Sequence, residues 1–572
     1  MDNNNLIAAI ALSILILMGF QYFYVKPQQE QAQQEVLAEK LMQQVKPVVT
    51  AEPTSVLRDH NVVLKESPRL PIITPQLSGS VDLKGARLDD LSLTNFRETV
   101  DPGAPAVTLL SPAGSDIPNL AYYADVSWLA DNDKTAVPTA QTEWKADGKE
   151  LTPDHPLKLT WDNGQGLKFE RIITVDDEFM FTLTDHVQNT NAAPVTLYPF
   201  GLIARQGNPA TRSSYILHEG ALGVVNGTLE EHKYKTMMSD GKKAEESQGG
   251  WLGITDKYWL VAMVPPADEK LTVGFTYNLE GQTNPDLGYF QTDFRGTPVT
   301  LAAGASADHK VMFFAGAKRQ KLLERYKDQY NIPLFDRAID YGWFWFLTIP
   351  FLHLLNFLSS ALGSYGLALL LFTVLLKVVT LPLSLKSNHS MSRMKDLQPE
   401  MKRLQERYKD DKVKQSAEMM ELYKREGVNP LSGCMPTLIQ IPIFFALYKV
   451  IYVGIEMRQA PFYGWIKDLS VPDPTSVLTL FGAIDWTPPT ALQIGVWPLL
   501  MGCSMFLQQR LSPQPPDKSQ ARMFMFMPIF FTYLLARMPA GLVIYWTWSN
   551  LLSSLQQWFI MRRDAKRKAN KA

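Results

Sequence analysis

Lys377 is the only charged residue between Tyr341 and Leu385, and it stands inside an apolar run. Thr373, Lys377 and Thr380 are spaced by four and three, which puts them on one face of a helix. A lysine facing lipid at the bilayer centre costs about 2.5–3.5 kcal/mol on insertion scales, so a polar, hydrated interior suits it better. Snorkelling of its long side chain toward the boundary near Lys386 is the competing account. Gln440 shares a helix with Thr437, and Tyr545, Ser549 and Gln556 form a stripe beside Trp546, Asn550 and Ser553. Such amides and hydroxyls act between membrane helices either as hydrogen-bonding glue or as the lining of a polar path. Lys449, at the end of another apolar run, reads as a snorkelling lysine. The chemistry on offer is charge attraction and hydrogen bonding, with no bond made or broken.

Nucleophilic, redox and metal chemistry find little support. His155, His186 and His218 stand in or beside alternating segments and could pair with Asp185 or Glu219 for acid–base work. No nucleophile motif or metal spacing accompanies them, which favours ordinary surface histidines. Two cysteines, Cys434 and Cys503, exclude a disulfide scaffold and a cysteine-rich metal site. No G-x-x-x-x-G-K-[ST] loop occurs, so no nucleotide or other cofactor is called for and the chain reads as a non-enzyme.

The elements that hold these residues fall into two unlike parts. In 572 residues, 56 Lys and Arg face 57 Asp and Glu, a formal net charge of −1. From residue 341 onward the count is 25 basic to 14 acidic, so the earlier part is acidic. The basic residues cluster in short blocks beside apolar runs rather than across a folded face, which argues against a DNA-binding protein. Leu6 to Val25 carries no charge and is long enough to cross a hydrocarbon core of about 30 Å. The MDNNN before it lacks the basic residues of a signal peptide, so it reads as an uncleaved anchor.

Five further spans are expected near residues 362–385, 431–453, 491–509, 523–537 and 540–560. They contain no Asp or Glu. The aromatic-rich YGWFWFLTIPFLHLLNFL, broken at Pro350, suits an amphipathic interfacial helix over 336–358. Residues 386–426 hold 11 Lys or Arg and the tail from Arg562 holds 6, whereas 454–493 holds only Arg458 and Lys467. The positive-inside rule puts the first two in the cytosol, and an even number of spans then puts both termini there and residues 26–335 outside.

Residues 26–56 are rich in Gln, Glu, Ala and Pro and read as a linker. From there to about 335, alternating segments such as LKFERIITV and KLTVGFTYNL, punctuated by Asp162-Asn163-Gly164 and similar turns, predict an antiparallel β-sandwich. Between 386 and 427, Met391, Met394, Leu397, Met401 and Leu404 recur at helical spacing, then Asp410-Asp411 interrupts and Val413, Ala417 and Met420 resume. That is a helical hairpin, Met-rich and basic, able to meet membrane surface, ribosomal RNA or an apolar client.

Two membrane stretches say more. Asn429 to Tyr448 reads NPLSGCMPTLIQIPIFFALY, with Pro436 and Pro442 in one helix, and Met538 to Gln557 reads MPAGLVIYWTWSNLLSSLQQ. On these residues the chain resembles the YidC-type membrane protein insertases of Gram-negative bacteria, and the resemblance runs from the anchor to the basic tail at 562–572. It implies a multi-domain inner-membrane protein: anchor, periplasmic sandwich of mutarotase-like fold, and an insertase core over 359–561 of five helices around a hydrophilic groove open to cytosol and lipid. It implies nascent membrane proteins, the Sec translocon, the ribosome and lipids as partners, and insertion and chaperoning as the activity. It raises Thr373 and the pair Tyr545–Trp546 to client-contact candidates, with Gln440, Ser549 and Asn550 as lining and Lys377 as the groove charge. Relatives commonly carry Arg at the position of Lys377, which keeps the charge here but loses the guanidinium fork. Trp546 stands where many have a second tyrosine. A solute transporter with an outer sugar-binding domain is the alternative; it would need intramembrane acids for ion coupling, which the spans lack.

Overall fold

The computed structural model describes residues 57–208, 217–279, 284–427, 435–482, 484, 486, 488–489, 493–511 and 518–569. The expected anchor over 1–25 and linker over 26–56 therefore lie outside the described residues. The chain divides into two compact units, Met1–Ile339 and Asp340–Ala572.

The first unit is a two-sheet antiparallel sandwich. One sheet runs, in spatial order, β1 (Arg69–Ile73), β2 (Leu77–Asp82), β3 (Arg87–Arg97), β5 (Tyr122–Ala130), β10 (Val195–Gln206), β17 (Tyr289–Arg295), β16 (Lys270–Asn278) and β13 (Lys242–Gln248). β4 (Ala106–Leu110) joins it at β3 and β18 (Val299–Leu301) at β10. The other runs β12 (Thr228–Lys233), β11 (Gly220–Val225), β14 (Trp251–Thr255), β15 (Trp259–Val264), β19 (Ser306–Ala317), β9 (Met180–Asn189), β8 (Leu167–Val175), β7 (Leu157–Asp162) and β6 (Lys145–Asp147). Helices α1 (His60–Val63), α2 (Tyr234–Asp240) and α3 (Gln320–Gln329) flank them.

Alternation marks strands such as β8 and β9, whereas β11 and β14 are buried at every position. In β8 every second residue from Leu167 to Val175 is buried, so one face joins the core and the other meets water or neighbours. The turn before it is closed by Asn163, whose Oδ1 accepts from the backbone of Gln165 at 2.7 Å and Leu167 at 2.9 Å, with Gly164 at φ +66°. The sheets press closely enough that a Cβ on Gly201 of β10 would lie 2.9 Å from Met263 Sδ of β15. Arg171 ties them with polar bonds. Its guanidinium holds Asp185 at 2.6 and 2.8 Å while reaching the Val126 carbonyl on β5 at 2.5 Å, and Trp128 donates to Asp185 at 3.2 Å. A buried pair satisfied in this way fixes the sheet register rather than performing chemistry.

The second unit is helical: α4 (Trp345–Leu362), α5 (Tyr365–Arg407), α6 (Lys412–Arg425), α7 (Met435–Val453), α8 (Val496–Leu511), α9 (Lys518–Leu535) and α10 (Ala540–Ala569). Two described segments, Trp345–Leu362 and Tyr365–Ser387, are long and apolar enough to cross a membrane, and Leu438–Val453 and Arg522–Leu535 are shorter apolar helices. Gly363, in the left-handed region at φ +69°, ends α4, and the Ser364 hydroxyl caps α5 by accepting from Leu367 N. Where the sequence separates a span from a hairpin helix near 386, α5 continues without a break for 43 residues. Pro382 and Pro399 both lie inside it, so proline, a helix-breaking residue elsewhere, does not end this helix. Asp411 caps the returning α6 by accepting from Lys414 N at 3.0 Å, and Met401 and Leu422 are buried between the two.

Candidate functional site in the helical unit

α10 carries the polar residues that connect its neighbours. Tyr545, Ser549 and Ser553 follow at steps of four along one stripe, with Asn550 on the adjoining one, so a single helix presents polar groups in more than one direction. Lys377 Nζ on α5 donates to Ser553 Oγ at 2.8 Å, although the two residues lie 176 apart in sequence. Gln440 Nε2 on α7 donates to the Tyr545 hydroxyl at 2.7 Å. Asn550 Nδ2 donates to Ser504 Oγ on α8 at 3.0 Å, both side chains buried. Three helices are thus bound to α10 by polar bridges.

The hydroxyls on α5 behave differently from Lys377. Thr373 is buried and donates to the Leu369 carbonyl of its own helix at 2.7 Å. Thr380 and Ser384 likewise donate to Leu376 and Thr380 carbonyls at 2.9 and 3.1 Å. Back-bonding of this kind holds these three hydroxyls to their own helix, whereas the Lys377 amine reaches across to another. Lys377 is half-buried and is followed by exposed apolar residues, Val378 and Val379 at 59% and 76% exposure. Further along α10, Gln556 Nε2 is buried with no acceptor among the described residues.

The candidate residues do not form one continuous surface. Tyr545 and Gln440 meet each other, and Ser549 is buried one turn further along α10. Trp546 turns elsewhere: its ring lies 4.7 Å from Phe444 on α7 and 5.6 Å from Phe531 on α9, packing with Met501 and Val543. The adjacent pair therefore divides between a polar contact and an aromatic cluster. Ser504 was not legible as a partner, because a lone serine in an apolar helix gives no periodic signal. Lys449 is tethered rather than snorkelling freely, with Nζ 2.8 Å from an Asp340 carboxylate oxygen and only 12% of its side chain exposed. Asp473 gives another cap missed in the sequence: it accepts from Trp497 N at 2.9 Å at the start of α8 and from the Trp465 ring at 3.0 Å.

The sandwich histidines are scattered. His186 pairs with Asp308 at 2.6 Å on the surface, His218 bonds the Ala221 carbonyl at 2.9 Å, and His155 bonds Thr152 at 3.0 Å. Asp185 belongs to Arg171, and Glu219 accepts from Lys257 N at 3.0 Å, so no acid–base pair converges among these residues.

Two family descriptions match consecutive parts of the chain: the YidC periplasmic domain over residues 69–354 and the 60Kd inner membrane protein over 357–568. The membrane protein insertase YidC of Methylorubrum extorquens is 46% identical across 98% of this chain and 96% of its own length. The chain belongs to the YidC family of membrane protein insertases. The insertases of Bradyrhizobium diazoefficiens and Granulibacter bethesdensis are 45% and 46% identical, each over 98% of this chain and covering 96% and 98% of their own. A solved YidC insertase with its first transmembrane domain resolved aligns with 89% of this chain and 95% of that one, at 16% identity and a TM-score of 0.37. The YidC family is an inner-membrane, non-enzymatic one.

Proposed function

We propose that the chain inserts and helps fold integral inner-membrane proteins, using the polar cluster on α10 as the receiving site for a client's short polar segment. The observation that carries this reading is the Lys377–Ser553 bridge: a half-buried cation held inside a helical unit whose outer faces are apolar. Carrying a charged or polar tail through hydrocarbon costs about 2.5–3.5 kcal/mol per charged side chain, and a hydrated polar site part-way across shortens that barrier. The unpartnered Gln556 amide supports hydration, because a buried donor left without an acceptor costs about 1–3 kcal/mol. The client's apolar segment then leaves sideways along exposed side chains such as Met525, Phe526 and Ile529 on α9. Transfer of apolar surface out of water supplies the drive, and no nucleotide is needed.

In this reading Lys377 supplies the groove charge, Gln440, Tyr545, Ser549 and Asn550 its lining, and Thr373 and Trp546 are client-contact candidates. The anchor over 1–25, an interfacial α4 and a five-span core over 359–561 put both termini and the α5–α6 hairpin in the cytosol, with residues 26–335 periplasmic, a linker over 26–56 and a mutarotase-like sandwich over 57–335. The hairpin and the basic tail meet the translating ribosome, and the Sec translocon shares larger clients. The solute-transporter alternative has no support from the named relatives.

The test is a set of single-span clients differing only in tail charge, with insertion measured at equal protein levels. Lys377→Arg keeps activity. Lys377→Ala slows acidic-tailed clients several-fold while sparing neutral ones, and Lys377→Glu slows them further, because unlike charges attract more strongly in a partly desolvated cavity than in water. Equal insertion of every client by Lys377→Ala and the parent protein contradicts the assigned role of this residue.

A further inference from the structure

The sandwich holds a cleft unrelated to the helical site. It has a volume of about 470 Å³ and lies at the end of the larger sheet, lined by Tyr198, Glu246, Gln248, Lys270, Thr272 and Arg295 among others. That volume falls within the roughly 300–1,000 Å³ of small-ligand pockets. Register explains why these residues converge. Glu246 on β13 opposes Thr272 on β16, which opposes Arg295 on β17, which opposes Phe200 on β10. Directly opposed residues share a face of the sheet, so these four form a row across four strands. Gln248 opposes Lys270 two positions along, on the same face. The alternate residues Leu271, Val273 and Phe294 are buried on the other face, in the core.

Arg295 is the unusual member. Its guanidinium carbon lies 5.6 Å from the centroid of the Tyr198 ring, and among the described residues no hydrogen bond or ion pair engages its N–H groups. Burial pushes this guanidinium below its ordinary value, against the opposing pull of Tyr198 and Asp293. A half-buried cation whose donors are not taken up by the protein is a place for an anion. The walls narrow the choice. Glu246 repels a polyanion but accepts hydrogen bonds from hydroxyl groups, as do the Gln248 carbonyl and the hydroxyls of Thr272 and Thr297. The Tyr198 side chain adds a flat apolar surface. An added peptide strand is excluded at this edge: Asn226 Nδ2 already donates to the Glu246 carbonyl at 2.6 Å, and Asn226 Oδ1 accepts from Gln248 N at 3.3 Å.

We propose that this cleft binds a small hydroxylated anion of the sugar-acid class, with its carboxylate on Arg295 and Lys270 and its hydroxyls on Glu246 and Gln248. The inference is independent of how the helical unit handles clients. The experiment is calorimetric titration of the full chain in nanodiscs with glucuronate, glucose and inorganic phosphate. Glucuronate binds saturably, and both glucose, which lacks the charge, and phosphate, which lacks the hydroxylated ring, bind about tenfold more weakly or less. Arg295→Gln weakens glucuronate about tenfold, and Arg295→Lys recovers part of the loss. Thermal unfolding checks that each variant is folded, and Lys270→Gln, at an exposed position, repeats the charge test if Arg295→Gln is not. Absence of saturable glucuronate binding, equal binding of phosphate, or unchanged affinity in a folded charge-removed variant overturns the proposal.

Discussion

Lys377 was legible from its isolation, since no other charge stands between Tyr341 and Leu385, yet its partner Ser553 was not. Which serine meets it depends on how two helices 176 residues apart come together, and helical periodicity carries no information on that. The same holds for Gln440 and Tyr545, each conspicuous alone and joined only by packing. Lys449 shows the opposite case: at the end of its helix it looked like a side chain seeking water, and it is held instead by Asp340 beside Gly342. Gly342 is needed there, because its φ of +69° suits glycine and a Cβ would come within 2.8 Å of Lys449 Cε. Lys449→Met therefore lowers helical-unit stability by about 1–3 kcal/mol, as does Asp340→Asn, whereas the double variant loses less than the sum. Thermal unfolding of the four proteins in one detergent checks it, and additive losses deny the coupling.

At the scale of elements, alternation made the strands readable, and the turn at Asn163 followed from a side chain that replaces backbone hydrogen bonds. The order of strands in the sheets was not readable, because partners such as β13 and β16 or β15 and β19 are set by pairing across long intervals. The continuity of α5 through residue 386 was not legible, because the change of polarity and the prolines Pro382 and Pro399 mark a boundary that the backbone does not make. β3 adds a pH-sensitive contact. Asp89 is buried with Arg69, and burial, reinforced by Asp82 and opposed by Arg69, raises its carboxyl from 3.8 to about 6. The folded state thus holds this proton more tightly than the unfolded one, so Asp89 contributes increasing sandwich stability as pH falls from about 6 toward about 4, and its ionisation penalty is complete above about 6. Asp89→Asn removes that slope. Circular-dichroism melts of the β-rich transition from pH 4 to 7 in both proteins test it, and parallel profiles contradict the assignment.

Across the whole molecule, the charge division near residue 340 anticipated two unlike parts, and the chain separates into units at Ile339 and Asp340. Every residue assigned to client handling lies in the second unit, while the cleft around Arg295 lies in the first. Deleting residues 60–310 while keeping the anchor accordingly leaves most insertion of simple single-span clients intact, measured by complementation of an insertase-depleted strain at matched membrane levels. Complete loss of activity there would give the sandwich an essential part in insertion. The central claim, that the face built by α5, α7 and α10 receives the client, is tested most directly by site-specific photocrosslinking during translation of a short membrane protein. Probes at Thr373, Tyr545 and Trp546 should label the emerging chain, with probes at exposed sandwich positions such as Ile117 as controls. Labelling from the helical positions that rises as the client's apolar segment leaves the ribosome is the predicted result; labelling no stronger than from Ile117 contradicts the account.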